Sequence, residues 1–228
     1  MGSQATMPEV LASLLIARTT DSRYDPGVLA AIILAAGDST RMGRPKALLP
    51  DPDGRPFVAR VVRAFAAAQV SDVIIVTGSQ HDAIVAAVST DRPPLTPVFV
   101  TNPQPSRGQL SSLWIALAAA AGRSVDGVLV TPVDIPMVRP STIRQVIEAW
   151  ERTHASIVRP AVGQRHGHPV LFDRAVFDAL HEAPLTEGAR AVVRASGDRL
   201  LDVAVDDEGC LIDIDTPADY EAVIKKAI

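Results

Sequence analysis

The chain has 228 residues, 22 basic against 26 acidic, a net charge of −4, and 47% hydrophobic side chains. That composition is too apolar for a disordered polymer, and it lacks the basic excess that a nucleic-acid backbone demands. The longest apolar run, around Val28 to Ala36, falls far short of the ~20 residues of a membrane span, and the lone Cys210 excludes an internal disulfide, so a cytoplasmic protein with no nucleic-acid or membrane partner is expected.

Residues 1–27 read as an N-terminal extension. Val10 to Ala17 predicts a short amphipathic helix ahead of a tether, without the basic start or cleavage site of a signal peptide. Residues 28–228 read as one domain. LAAIILAAG, from Leu29, predicts a buried parallel strand ending in Gly. Phe57 to Ala68 has helical spacing, with Val58, Val61, Val62 and Phe65 on one face. DVIIVTG then predicts a strand, His81 to Val88 a helix, PVFVTN a strand and Leu110 to Ala121 a helix. GVLVTPVD predicts the fourth strand, and Pro140 to Thr153 a helix opened by its proline. Later, ASIVRPA, HPVLF, RLLDVAV and CLIDI read as strands, with helices at Arg174 to His181 and Ala189 to Ser196. Thr216 and Asp219 form a capping box before a final helix. Strands alternating with helices predict an α/β fold: an open, doubly wound, mostly parallel, Rossmann-like sheet, with a smaller lobe from the later strands. Ligands on such sheets sit beyond the strands' carboxyl ends.

The sharpest local signal follows the first strand: Gly37-Asp-Ser-Thr-Arg41-Met42-Gly43-Arg-Pro-Lys46. Glycines let backbone N–H groups approach a phosphate, and Arg41 and Lys46 add charge beside them. The spacing fits neither a Walker A loop nor the dinucleotide turn. The 22 basic residues include only three lysines, Lys46, Lys225 and Lys226. Lys is a compact point charge and Arg a planar fork, so an internal Lys in an Arg-rich chain invites a chemical explanation. Asp134 ends the apolar strand GVLVTPV, facing the expected crevice. Asp213 and Asp215 are two apart, so both point the same way in extended chain; helix-entry chemistry at Thr216 and Pro217 is compatible with either role. Arg165, His166 and His168 crowd one segment. They lack the further ligand that a zinc site needs.

The segment LAAGDSTRMGRPK resembles the LAAGxSxRMGxxK signature of the nucleotidyltransferases that act on molybdenum cofactor, a branch of the nucleotide-sugar pyrophosphorylase fold. Further segments follow in the same order. Asn102-Pro103 with Gly108, Ser111 and Ser112 resembles NPxxxxGMxxSL, with Gln109 where Met is frequent. Thr131-Pro132-Val133-Asp134-Ile135-Pro136 is similar to a central TPxxDxP turn, and Gly167-His168-Pro169-Val170 to GHPV. Gly188-Ala189-Arg190 matches the end of GDxGAR, with Leu185 and Thr186 in place of Gly-Asp. Asp213-Ile214-Asp215-Thr216-Pro217 resembles DIDTP.

The resemblance implies transfer of a nucleotide from an NTP to the terminal phosphate of molybdopterin, with pyrophosphate leaving. It assigns the triphosphate and developing charge to Arg41 and Lys46. Leu34, Ala35, Ala36, Gly37, Gly43, Thr131 and Asp134 would bind the nucleotide, and Asp134 and Asp215 would hold Mg²⁺, with Mn²⁺ able to substitute. Asp213 would be a supporting acid. Asn102, Ser111, His168 and Arg190 would meet the acceptor, with Arg165 near it; a helix cap (Asn102, Ser111), a polar loop before the strand HPVLF (Arg165, His166, His168) and a solvated position (Arg190) are the bland alternatives. Guanylate-transferring relatives tend to show LAGG, whereas Leu34-Ala35-Ala36-Gly37 matches the cytidylate branch, so CTP is the expected co-substrate. A client molybdoenzyme or its chaperone would receive the product. The rivals are a guanylyltransferase, another small-phosphate or sugar-phosphate nucleotidyltransferase, and a non-catalytic carrier of finished cofactor.

Overall fold

A strand that reads as one unbroken apolar run must be covered on both faces, and the first strand shows how. In the computed structural model, which describes residues 28–226, β1 (Leu29–Ala35) lies in the middle of an eight-stranded sheet. Ala31, Ile33 and Ala35 face one core, and Ala30 and Ile32 the other. The first core is covered by α1 (Phe57–Ala67), α2 (His81–Asp91) and α4 (Pro140–Thr153) through residues such as Val61, Phe65, Ile84 and Val146. The second lies under α3 (Gln109–Ala121), α5 (Phe177–Glu182) and α6 (Arg190–Ala195) through Leu113, Leu117, Leu180 and Val192. The expected helix at Val10–Ala17 lies outside the described residues.

β2 (Asp72–Thr77) and β3 (Val98–Thr101) add in parallel on one side of β1, and β4 (Gly127–Pro132) adds in parallel on the other. Strand order therefore reverses between β1 and β4, which opens a crevice at their carboxyl ends. The later strands build the smaller lobe as the far end of the same sheet. β7 (Val170–Asp173) runs antiparallel to β4, β5 (Ile157–Val162) antiparallel to β7, and β8 (Leu200–Ala204) parallel to β5.

Two local expectations change. Arg165–His166, expected in a loop, form the short strand β6, paired with Ala161 and Val162 across Gly163 at φ +60°. CLIDI, expected as a strand, is a 3₁₀ turn (Glu208–Leu211) followed by extended chain outside the sheet. The cause is local. The buried Asp207 carboxylate accepts from Gly209 N–H and turns the chain, and the Cys210 carbonyl and Ile214 N–H pair with His168 and Asp134 instead of with a strand. Apolar residues here plug a core without a ladder. The capping box stands: Thr216 and Asp219 exchange hydrogen bonds ahead of α7 (Pro217–Lys226).

Candidate active site

The loop after β1 is held by its own backbone. Ser39 sits at φ 52°, its carbonyl accepts the N–H groups of Met42 and Gly43, and its hydroxyl accepts the Lys46 N–H at 3.0 Å. Gly43 adopts φ +73°, a conformation that a side chain would strain. Met42 anchors the loop by sinking among Leu49, Phe57 and Ile214. From β2, Gly78 presses against the loop so closely that a Cβ there would lie 2.5 Å from the Ala36 carbonyl.

Two distant segments complete the site. Ile214 N–H donates to the Asp134 carbonyl at 2.9 Å, and the Ile214 side chain is fully buried. Because side chains alternate along extended chain, Asp213 and Asp215 emerge opposite Ile214. One oxygen from each of Asp134, Asp213 and Asp215 lies within 4.8 Å of the others. The Lys46 ammonium donates to Asp134 at 2.8 Å and to Asp215, and an Arg41 guanidinium nitrogen is 2.7 Å from Asp215. Lys46 is only 9% exposed. Burial alone would depress its pKa, but the hydrogen bonds and charges of Asp134 and Asp215 outweigh that and raise it. The Lys46 hydrogen bond holds the Asp215 carboxyl below its ordinary value, while burial and then the neighbouring Asp134 and Asp215 charges push Asp213 up to about 6. Three clustered carboxylates offer the hard oxygen donors that Mg²⁺ and Mn²⁺ take, so the residues fit a divalent cation.

These groups line a cavity of about 360 Å³. Leu34, Ala35, Ala36, Gly37, Arg41, Lys46, Asp134 and Asp215 line it, and so do His168 and Arg190, which were expected at the acceptor. Gly43 and Thr131 do not. Gly43 shapes the loop, and Thr131 is fully buried with its hydroxyl on the Pro132 carbonyl. Asn102 and Ser111 are also buried away from this cavity. The Asn102 amide donates to Ser111 and Ser112, and Ser111 to the Gly108 carbonyl, which fastens the start of α3. Arg165 points elsewhere, paired with Glu208 at 2.7 Å. Gln80 lines the cavity without being singled out from the sequence, Ser112 lines it although the NPxxxxGMxxSL-like segment gave it no role, and Asp213 joins the carboxylates more closely than a supporting role implied. The signal for Asp213 was its spacing from Asp215 across an apolar residue; for Gln80 it was only a place after β2.

A second cavity of about 460 Å³ adjoins the first. Leu110, Leu113, Val130 and Phe172 give it an apolar floor, and Arg159, His166, His168 and Arg190 add basic groups to its walls. His168 is partly buried, with its Nδ1 at 3.3 Å from the Val130 carbonyl, and desolvation lowers its pKa.

A curated protein of Rhodopirellula baltica named "Probable molybdenum cofactor guanylyltransferase" is 32% identical over 134 residues, which are 58% of this chain and 61% of that protein. The chain thus spans about three fifths of that relative's length. A protein of the same name from Mycolicibacterium paratuberculosis is 28% identical over 86% of this chain and 94% of its own. The crystal structure of Rv0371c from Mycobacterium tuberculosis superposes with a TM-score of 0.73 at 28% identity, covering 86% of this chain and 98% of that one; its manganese complex gives 0.66 at 27% identity over the same shares. The family model described as MobA-like NTP transferase domain matches residues 31–200, well over half of the sequence, and the chain belongs to that family.

Proposed function

We propose that the protein transfers a nucleotide from an NTP, CTP in preference to GTP, to the terminal phosphate of molybdopterin. The observation that carries this reading is the convergence of Lys46, Arg41 and three carboxylates at one end of a cavity walled by the β1 loop. The first cavity takes the nucleotide and the second, with its apolar floor, the acceptor. An oxygen of the acceptor phosphate attacks the α-phosphorus, the bond from that phosphorus to the bridging oxygen breaks, and pyrophosphate leaves. The attacking oxygen is already anionic, so no general base is needed; what remains is positioning and charge stabilisation. Lys46 is suited to a single phosphate oxygen because its ammonium is compact and held from two sides, and Arg41, which is exposed, can follow the outer phosphates. Asp134 and Asp215, with Asp213 beside them, would hold Mg²⁺ or Mn²⁺, which supplies charge neutralisation between phosphates.

The preference for CTP rests on Ala36, nearly buried in the cavity wall and backed by Gly78. We infer that an alanine at this point of the wall leaves less room for a purine than a glycine would. The names of the relatives favour the second reading, guanylate transfer. Pyrophosphate release, measured with each NTP in turn plus molybdopterin and Mg²⁺ or Mn²⁺, decides. CTP is expected to give the higher kcat/KM, and Ala36→Gly to narrow the gap, which for one shape feature is worth about 1–3 kcal/mol. Faster turnover with GTP would reverse the base assignment, and silence with every NTP would leave a carrier.

A further inference from the structure

Five residues line both cavities: Leu34, Gln109, Pro132, His168 and Arg190. If nucleotide and acceptor occupy one cavity each, the new phosphorus–oxygen bond forms across this seam. Leu34 and Pro132 offer it only apolar surface and backbone. His168 is anchored through its Nδ1 to the Val130 carbonyl, and burial favours its uncharged ring, so it brings the seam a neutral Nε2 and no cation. Arg159 and His166, the other basic groups of the second cavity, are both tied to Asp202. Gln109 and Arg190 remain. Neither the Gln109 amide nor the Arg190 guanidinium makes a hydrogen bond or ion pair among the described residues, although both are exposed at the junction.

Their placement is fixed from beneath. Gly108, at φ +95°, turns the chain into α3, and the Asn102–Ser111–Ser112 hydrogen bonds fasten that first turn. Leu110 and Leu113 sink into the core, which leaves Gln109, the first residue of the helix, over the seam. Arg190 likewise opens α6, with Val192 and Val193 packed below it.

We propose that Gln109 joins Arg190, which the resemblance already assigns to the acceptor, in gripping the acceptor phosphate at the seam. The proposal rests on the reading above, that a phosphate-bearing acceptor fills the second cavity. Two anions have to be brought within bonding distance, and Arg190 offsets their repulsion with a fork that can reach two phosphate oxygens. The Gln109 amide adds a neutral N–H donor that directs one oxygen without adding charge that the nucleotide would also feel.

The test compares wild type with Gln109→Met, which keeps length and removes the hydrogen bonds, and with Arg190→Gln. Inorganic phosphate is titrated by ³¹P line broadening while Mg²⁺ and a non-hydrolysable CTP analogue fill the first cavity. Each variant is expected to bind phosphate about tenfold more weakly, the scale for one hydrogen bond to a charged group. The analogue's own dissociation constant should change less than that of phosphate, and an unchanged circular dichroism spectrum and thermal midpoint show that the variants are folded. In turnover, the molybdopterin KM should rise by a similar factor, with the double variant less than additive. Weakened phosphate binding alongside a wild type that releases no pyrophosphate with molybdopterin would uphold the grip and remove the acceptor assignment. Equal phosphate binding in all three proteins would overturn the grip, even if molybdopterin is turned over.

Discussion

Lys46 reaches carboxylates 88 and 169 residues further along the chain. A planar guanidinium cannot replace its ammonium between Asp134 and Asp215 without moving one of them. Lys46→Arg is therefore expected to keep the charge and lose about 10²-fold in kcat, the lower scale for deleting one preorganised donor; an unchanged kcat in the pyrophosphate assay would contradict the role. His168 makes a different prediction, on stability. Burial favours its neutral ring, and the hydrogen bond to Val130 and the Asp134 charge, which pull the other way, do not cancel that. The unfolded chain then takes up this proton near pH 6.5 and the folded chain only at lower pH. Stability from this group is complete above pH 6.5 and declines as the pH falls below it, no faster than the one-proton limit of about 1.4 kcal/mol per pH unit. The difference in urea midpoint between wild type and His168→Gln, followed from pH 7.5 to 5, isolates the effect; a difference independent of pH would refute it.

At the scale of elements, the loop after β1 owes its shape to contacts that its own sequence only half reveals. Ser39 and Gly43 set the turn from within, and a loop rich in Gly and charge after a strand was readable in the sequence. The support from β2 was not readable, because nothing local marks Gly78 as the residue on which the Ala36 carbonyl rests. Gly78→Ala places a methyl group 2.5 Å from that backbone oxygen, where no flexible side chain can yield. The variant is expected to lose about 1–3 kcal/mol, the usual cost of overpacking, and to raise the nucleotide KM because the loop itself must shift. Denaturant unfolding and nucleotide titration read the two effects; a stable variant with wild-type nucleotide affinity would show that the contact is dispensable. The CLIDI segment carries the opposite lesson: its apolar alternation was real, yet Asp207 and the pairing of Cys210 and Ile214 with loops removed it from the sheet.

At the scale of the molecule, the carboxylate cluster joins the end of β4 to the approach to α7, through one backbone hydrogen bond from Ile214 to Asp134. If both segments hold one cation, Asp134→Asn and Asp215→Asn should each weaken Mn²⁺ binding in a direct titration, and the double variant should lose much less than the sum of the two. Strict additivity, or a single variant with full affinity, would place the cation elsewhere. No helix among the described residues is long and apolar enough to cross a membrane.

What the sequence determined by itself was periodic or tightly local. Buried parallel strands need apolar side chains on both faces, amphipathic helices need a 3.6-residue stripe, and a tight charged turn needs glycine and basic residues within a few positions, so β1 to β4, their helices and the Arg41–Lys46 loop were all legible. Asp134 and Asp215 were legible as candidates for the same reason, each lying at the end of an element. The tertiary structure alone decided which candidates meet. It brought Asp213 into the cluster, withdrew Thr131, Asn102 and Ser111 into the packing, sent Arg165 to Glu208, and set Gln109 and Arg190 at the junction of two cavities. Those outcomes depend on strand order, on close approaches such as Gly78 on Ala36, and on hydrogen bonds between residues scores of positions apart. No pattern of neighbouring residues encodes such distances, because they exist only after the two faces of the sheet have been covered.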